Sequence, residues 1–405
     1  MHGDVFTLFI AGQRMTFVLD PLSTPAVLRS KELAFHPVSD SILAQAFAFD
    51  NVRQRMDIEA IESLARTRLR GKALGPITDA MSERLQTLVP AAAPTAWQDV
   101  QLYRTVWDIM FEAGTDALFG TGVVTDQLRE DFETFDAQFP LMAAGLPRAL
   151  TKDGDSALQR LARTKLLGSN PSAWIRDRQP VLAKMAEDDR GLARVPILWA
   201  IHANTIPSTF WALYYLLRHP EGLQAVLEEL NGLSPSARRN LDVDSLGELR
   251  MLDSAISEAL RLSSGSLTVR EALESFTLET PRGAHSLRRG DRVCLAPFIT
   301  HRDPEIFENP LSYQYDRFYS DSGRKQFYKR GERVPMPLMP FGAGISMCPG
   351  RFFAMNEIKL FVATVLSKWD IEPVGGPLPD FELSRAGLGI YPPAHDVSVR
   401  IRRKR

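Results

Sequence analysis

The sequence predicts a mainly α protein with small β-sheets, an α-rich α+β arrangement around one large helical body. Three observations predict it. From about Ser41 to Leu230, apolar residues recur at spacings of three and four, the helical period. Past Leu262 the texture changes to short β-prone pieces separated by Gly and Pro, and a last helical stretch returns at Pro349. No linker interrupts the 405 residues, so 1–405 reads as a single domain.

The elements follow in order. Val5 to Ile10 and Met15 to Leu19 are β-prone and read as a hairpin joined at Ala11-Gly12-Gln13-Arg14. A chain opening on a strand is expected to be naturally short, or to lack an N-terminal anchor or first helix. Helical spacing marks Ile77 to Leu88, Tyr103 to Leu118, Leu158 to Leu167 and Pro196 to Leu217, with Ala91-Ala92-Ala93-Pro94 as a loop. Inside the last of these, Pro207 has no N–H for the carbonyl of Ala203, so a kink is expected, at a cost of ~3 kcal/mol in a plain helix. Leu252 to Leu262 is a further helix, Phe276 to Glu279 and Arg292 to Pro297 are strands, and Pro349 to Lys368 is the final helix.

Bulk properties exclude several classes. A net charge of -1 gives no reason to expect a nucleic acid. The two cysteines, Cys294 and Cys348, make neither a disulfide framework nor a Cys-x-x-Cys knuckle, and the chain reads as intracellular. No apolar run is long enough to span a bilayer.

The chemistry centres on Phe341 to Gly350, Phe-Gly-Ala-Gly-Ile-Ser-Met-Cys-Pro-Gly. Glycines there, Gly344 among them, permit positive φ and close approach of the chain to a flat ligand. Cys348 stands just before a helix whose free N–H groups stabilise a thiolate, a good axial ligand for haem iron. A frame Phe-x-x-Gly-x-x-x-Cys-x-Gly arises by chance on the order of 10⁻³ or less per chain of this composition. The plainer alternative is a buried structural cysteine after a Gly-rich turn. Upstream, Glu258 and Arg261 share a helix face, and Arg317 in Tyr315-Asp316-Arg317-Phe318 is placed to close a charged triad beneath the cysteine loop. Arg270, nine residues after Arg261, reaches a haem propionate if it leaves that helix on an extended segment.

These residues closely resemble the cytochrome P-450 haem-thiolate enzymes, whose order of Glu-x-x-Arg, an Arg-Phe segment and the Phe-x-x-Gly-x-x-x-Cys-x-Gly loop recurs along nearly the whole chain. The resemblance implies the cytochrome P-450 fold, with haem b (iron protoporphyrin IX) between the long kinked helix and the cysteine loop. It implies Cys348 as iron ligand, Phe341 and Gly344 beside the cofactor, Glu258, Arg261 and Arg317 as structural triad, and Arg270 on a propionate. Where most of the family has a basic residue two before the cysteine, this chain has Ser346, so a cation is expected from elsewhere. Lys72 is a candidate, against the default of a solvated lysine. The family's acid and threonine at the helix kink correspond to Ile206 and Pro207, so the usual proton-relay pair is missing.

That loss resembles the branch holding sterol 7α-hydroxylases and prostacyclin synthase, with Asn204 as the polar group nearest the iron, unless it merely caps the kink. Asn204-Thr205-Ile206-Pro207, Arg261-Leu262-Ser263-Ser264, Cys348-Pro349-Gly350-Arg351 and Leu383 to Ile390 are more similar to the sterol enzymes. The implied function is hydroxylation of a steroid or similar bulky lipid using O2 and electrons from a ferredoxin or flavoprotein reductase. Asn204, Leu267, Thr268 and Leu388 would contact substrate, Ser266 lying in the same segment. Phe139 to Pro147 resembles a lipid entrance with peripheral membrane contact, or is a core segment. Arg324, Lys325, Lys329, Arg330 and Arg333 face an acidic donor protein or form a solvated loop. The implied location is cytoplasmic for the chain as given, or the endoplasmic reticulum membrane if an anchor precedes residue 1. Alternatives are an isomerase of a lipid endoperoxide or hydroperoxide, which needs no electron donor, and a non-catalytic haem or lipid-binding protein.

Overall fold

A computed structural model describes residues 4–10, 12–323 and 325–404; Ala11 of the hairpin turn and Arg324 of the basic loop lie outside them. The helical body comprises α1 (Gly75–Ala92), α2 (Leu102–Phe119), α3 (Asp126–Ala143), α4 (Lys152–Arg163), α5 (Val195–His202), α6 (Thr205–Arg218), α7 (Arg250–Ser263) and α8 (Arg351–Lys368), with shorter helical pieces between. Helix α6 is the centre: it packs on α2, α7 and α8. Its residues explain why, since Phe210, Trp211, Leu213 and Leu216 are apolar round the whole circumference and almost wholly buried.

The small sheets sit at the margins. Strands β1 (Val5–Ile10), β2 (Gln13–Val18), β3 (Leu33–Ala34), β4 (Thr268–Ala272) and β5 (Arg292–Leu295) form one sheet in the order β1-β2-β5-β4-β3. The hairpin pairs Ile10 with Gln13, so its second strand begins two residues earlier than the β-prone run suggests. Strand β4 pairs antiparallel with β5, which places Arg270 opposite Val293.

Several expected bounds shift for physical reasons. Helix α4 stops at Arg163, not Leu167, because the chain turns to bridge Thr121 with Ser169; Leu166 is buried by that crossing and not by a helix face. Ala91 and Ala92 extend α1. Helix α8 starts at Arg351, after Pro349 and Gly350 turn the chain. The Pro196 to Leu217 stretch divides at Ala203-Asn204, between α5 and α6. There Ser208 N–H still donates to the Asn204 carbonyl at 3.1 Å, whereas Pro207 offers no N–H one position earlier.

Helix α8 carries a buried anomaly. Glu357 is 2% exposed, and burial holds its carboxyl well above the ordinary 4.5. Its Oε1 stands on the surface of α2 at Gly114, beside His202, whose ring bonds Thr115 Oγ1 at 2.9 Å and is pushed down to about 3 by burial. An acid neutral in the fold yet ionised in the unfolded chain lowers stability as pH rises from the ordinary value toward the folded one. Glu357→Gln is therefore expected to gain on the parent as pH rises; thermal melts between about pH 5 and 8 check it, and parallel pH profiles contradict it.

Candidate functional site

The cysteine loop is shaped by two left-handed glycines, Gly342 at φ 69° and Gly344 at φ 72°. A Cβ at Gly344 would also press to 3.3 Å from Leu28 Cδ2. The loop closes where Cys348 N–H donates to the Phe341 carbonyl at 3.0 Å and Met347 N–H to that of Gly344 at 3.1 Å. Burial pushes the Cys348 thiol up, while N–H groups of Gly350 and Arg351 and the charge of Arg351 pull it back. The residue is nonetheless exposed, flanked by protein but not covered by it.

Beneath the loop lies the charged triad. Glu258 takes Arg261 Nε and Nη2 at 2.7 Å each on its two oxygens, and Arg317 Nε at 2.8 Å. All three are buried, and the remaining guanidinium donors go to carbonyls: Arg261 to His301 and Pro310, Arg317 to Glu308 and Ser312. Buried charge is tolerated here because nearly every donor is matched. The contact with His301 carries the triad to the loop, since His301 Nε2 accepts the Met339 N–H at 3.0 Å and the Met339 carbonyl accepts the Gly342 N–H at 3.2 Å. Burial and the neighbouring arginines push His301 down to about 3, so it is neutral and can accept. His301 is absent from the residues singled out in the sequence; its signal was a lone histidine opening His-Arg-Asp-Pro just after the short helical turn Pro297–Thr300.

Arg270 does leave the helix on a strand, β4. It is 5% exposed, donates to the carbonyls of Val269 at 2.8 Å and of Ala343, in the cysteine loop, at 3.1 Å, and lies over Phe35. Among the described residues no carboxylate pairs with it, and burial lowers its pKa. Lys72 is placed differently: it is exposed, on a 3₁₀ turn and not a helix, lining a cavity of about 1270 Å³ with Phe341, Gly342, Met347 and Arg351. Cys348, Arg270 and Asn204 do not line that cavity.

The helix break lies between α5 and α6. Asn204 does not cap α6; its Oδ1 accepts the Ile390 N–H at 2.9 Å, which ties the break to the C-terminal loop. That loop is held to the strand entrance by Gly265 N–H on the Gly389 carbonyl and Gly387 N–H on the Gly265 carbonyl, both 2.8 Å, and by Leu267 N–H on the Gly387 carbonyl. Leu267 and Leu388 are thereby brought beside Asn204, and Thr268 follows at the start of β4 with its Oγ1 3.9 Å from a Cβ at Gly342. Ile206 and Pro207 are buried and bring no ionisable group to the break. Gly389 must be glycine for space, because a Cβ would lie 1.9 Å from Asn204 Oδ1. Gly389→Ala is expected to break the Asn204–Ile390 bond, worth about 1–3 kcal/mol. Affinity for ligands held above the cysteine should fall about tenfold or more, read from optical titration; an unchanged affinity contradicts this.

The donor set fits an iron porphyrin. Among the described residues no group of three or more His, Cys, Asp or Glu is placed to hold a bare ion, so iron at Cys348 needs its other ligands from a prosthetic group. The acid-free guanidinium of Arg270, bonded to the same loop, suits a carboxylate arm of such a group.

Comparison with known proteins agrees. The cytochrome P450 family model matches residues 180–399. Cytochrome P450 7A1 of Rattus norvegicus is 35% identical, covering 100% of this chain and 88% of that protein. The 7-alpha-hydroxycholest-4-en-3-one 12-alpha-hydroxylase of Homo sapiens is 34% identical over 99% of this chain and 86% of its own length. Among solved structures, the heme domain of a cytochrome P450DA mutant superposes with a TM-score of 0.77 at 18% identity, covering 99% of this chain and 90% of that one, a likeness of fold.

Proposed function

This chain belongs to the cytochrome P450 family, and from that premise we propose that it is a haem-thiolate monooxygenase that hydroxylates a steroid or similarly bulky apolar lipid with O2 and electrons from a protein donor. The cofactor is haem. The observation that carries the reading is the enclosure of the break at Asn204 by the Leu388–Ile390 loop, in a chain whose full-length relatives are named as sterol hydroxylases.

When bound, the thiolate-ligated haem supplies oxygen activation, the sulfur's electron donation favouring O–O cleavage. The chain's own residues do the rest. Cys348 holds the iron, with the N–H groups of Gly350 and Arg351 supporting negative charge on sulfur. Arg270 pairs with a carboxylate arm of the cofactor, and the triad, through His301, holds the loop in place. Asn204, its oxygen engaged by Ile390, keeps its amide N–H groups for a polar atom of substrate, while Leu267 and Leu388 wall the space and orient an apolar body. No helix among the described residues is long and apolar enough to cross a membrane. Leu141, 43% exposed near the end of α3, fits a route by which lipid arrives from a membrane surface, and Lys325, Arg330 and Arg333 fit the contact with an acidic electron donor.

A panel of steroids added to the haem-loaded protein tests the reading. Binding that displaces water from iron shifts its spin state, and at least one steroid of the 7α- or 12α-hydroxylase substrate type should do so; absence of a shift across the panel contradicts the steroid assignment. Ile206 and Pro207 favour a second reading, isomerisation of a lipid endoperoxide, which needs no proton delivery to O2 and no electrons. Product from a peroxide without reductant would support it.

A further inference from the structure

Arg385 and Asp136 lie 249 residues apart and form a two-pronged ion pair, Nη1 to Oδ2 at 2.7 Å and Nη2 to Oδ1 at 2.9 Å. Trp199 Nε1 donates to the same Oδ1 at 2.8 Å. Three elements meet at this carboxylate: α3, which carries the apolar segment from Phe139, α5, which leads into the break at Asn204, and the turn that opens the C-terminal loop. The side chain of Arg385 is 9% exposed and that of Asp136 21%, so the pair is largely out of water and its geometry is worth more than at a surface. Trp199 also stacks on Phe139 with ring centroids 3.9 Å apart, which fixes α3 against α5 on the same side.

The loop depends on this contact unequally along its length. From Gly387 to Tyr391 it is fastened by backbone bonds to Ser263, Gly265 and Leu267 and by Asn204. Among the described residues, Leu383 to Ala386 hydrogen-bond only within their own turn, apart from Arg385. The carbonyl of Arg385 in turn accepts the N–H of Leu388 at 3.0 Å, so the anchoring of Arg385 reaches the wall residue directly.

We propose that Arg385 and Asp136 are a positioning pair that latches the C-terminal loop to α3, and so sets where Leu388 stands and how bulky a ligand the space above Cys348 accepts. The pair touches no reacting atom; it acts through Leu388 and through the Ile390 bond to Asn204. It deepens the steroid reading, on which it rests only for the identity of the ligand.

The test uses the haem-loaded full chain with D136N, which is isosteric, and R385Q, which is shorter and uncharged but keeps hydrogen-bonding atoms, with R385K as the conservative variant. Two readouts are taken: hydrogen exchange of residues 386–391, and optical affinities for imidazole against phenyl-substituted imidazoles of increasing bulk. Exchange in 386–391 should quicken about tenfold or more, with α7 unchanged. Affinity for imidazole should stay, while the preference among bulky azoles changes about tenfold. The double variant D136N/R385Q should be no worse than either single change, as for two ends of one contact, and R385K should fall between parent and R385Q. Unchanged exchange in 386–391, an unchanged size preference, or additive losses in the double variant would overturn the proposal. The azoles make the outcome independent of the steroid reading: that reading fails if the parent protein shows no spin shift with any steroid, whatever the variants do.

Discussion

Cys348→Ser is expected to abolish the reduced carbon monoxide band of thiolate-ligated haem and all reductant-driven turnover, while leaving the fold in place. The reasoning is local. The loop's shape comes from Gly342, Gly344 and backbone bonds to Phe341 and Gly344, none of which uses the sulfur. A hydroxyl of similar size therefore leaves the loop intact but offers iron a poor ligand without thiolate character. Difference spectroscopy on matched parent and variant reads the first effect, and circular dichroism the second. A variant retaining the thiolate band would remove Cys348 from the iron.

Glu258→Gln should produce the largest loss of stability. Removing one member of a buried ion network leaves the others uncompensated, at about 3–5 kcal/mol. Here two guanidiniums, Arg261 and Arg317, converge on the one carboxylate, and neither has other acidic partners among the described residues. The loss should reach the iron site through His301 and Met339, so haem retention is expected to fall together with the denaturation midpoint. Arg261→Lys should lose less than Glu258→Gln but more than a surface change, since a lysine cannot span both carboxylate oxygens. Parallel denaturant titrations followed by haem absorbance and by far-ultraviolet dichroism check this; a Glu258→Gln protein as stable as the parent contradicts it.

What could be read in the sequence was whatever is encoded over a short span. The glycine-cysteine loop, the Glu258–Arg261 spacing on one helix turn and the interruption by Pro207 are each local, and each appears in the structure close to where the residues imply. Arg270 was legible because a strand-prone run follows Arg261 within a few residues. The helix limit at Leu167 misled because Leu166 is apolar and buried although the helix ends at Arg163, and apolarity does not state its cause. Lys72 is legible only as a charge in the sequence; its 3₁₀ turn places it on a cavity that Phe341, Gly342 and Met347 of the cysteine loop also line. The long-range contacts were silent. Nothing near Asp136 announces a partner at Arg385, and Asn204 gives no sign that its oxygen is reserved for Ile390, because such bonds follow from topology and not from residue spacing.

The central claim is monooxygenation at Cys348-ligated haem within the space bounded by Asn204 and Leu388. Its most direct test is turnover of a spin-shifting steroid under isotopically labelled O2 with an electron donor, followed by mass spectrometry of the product. The expected product is a hydroxylated steroid carrying one labelled oxygen atom, formed only with reductant. Product without label, or product formed from a lipid peroxide in the absence of any reductant, would contradict it.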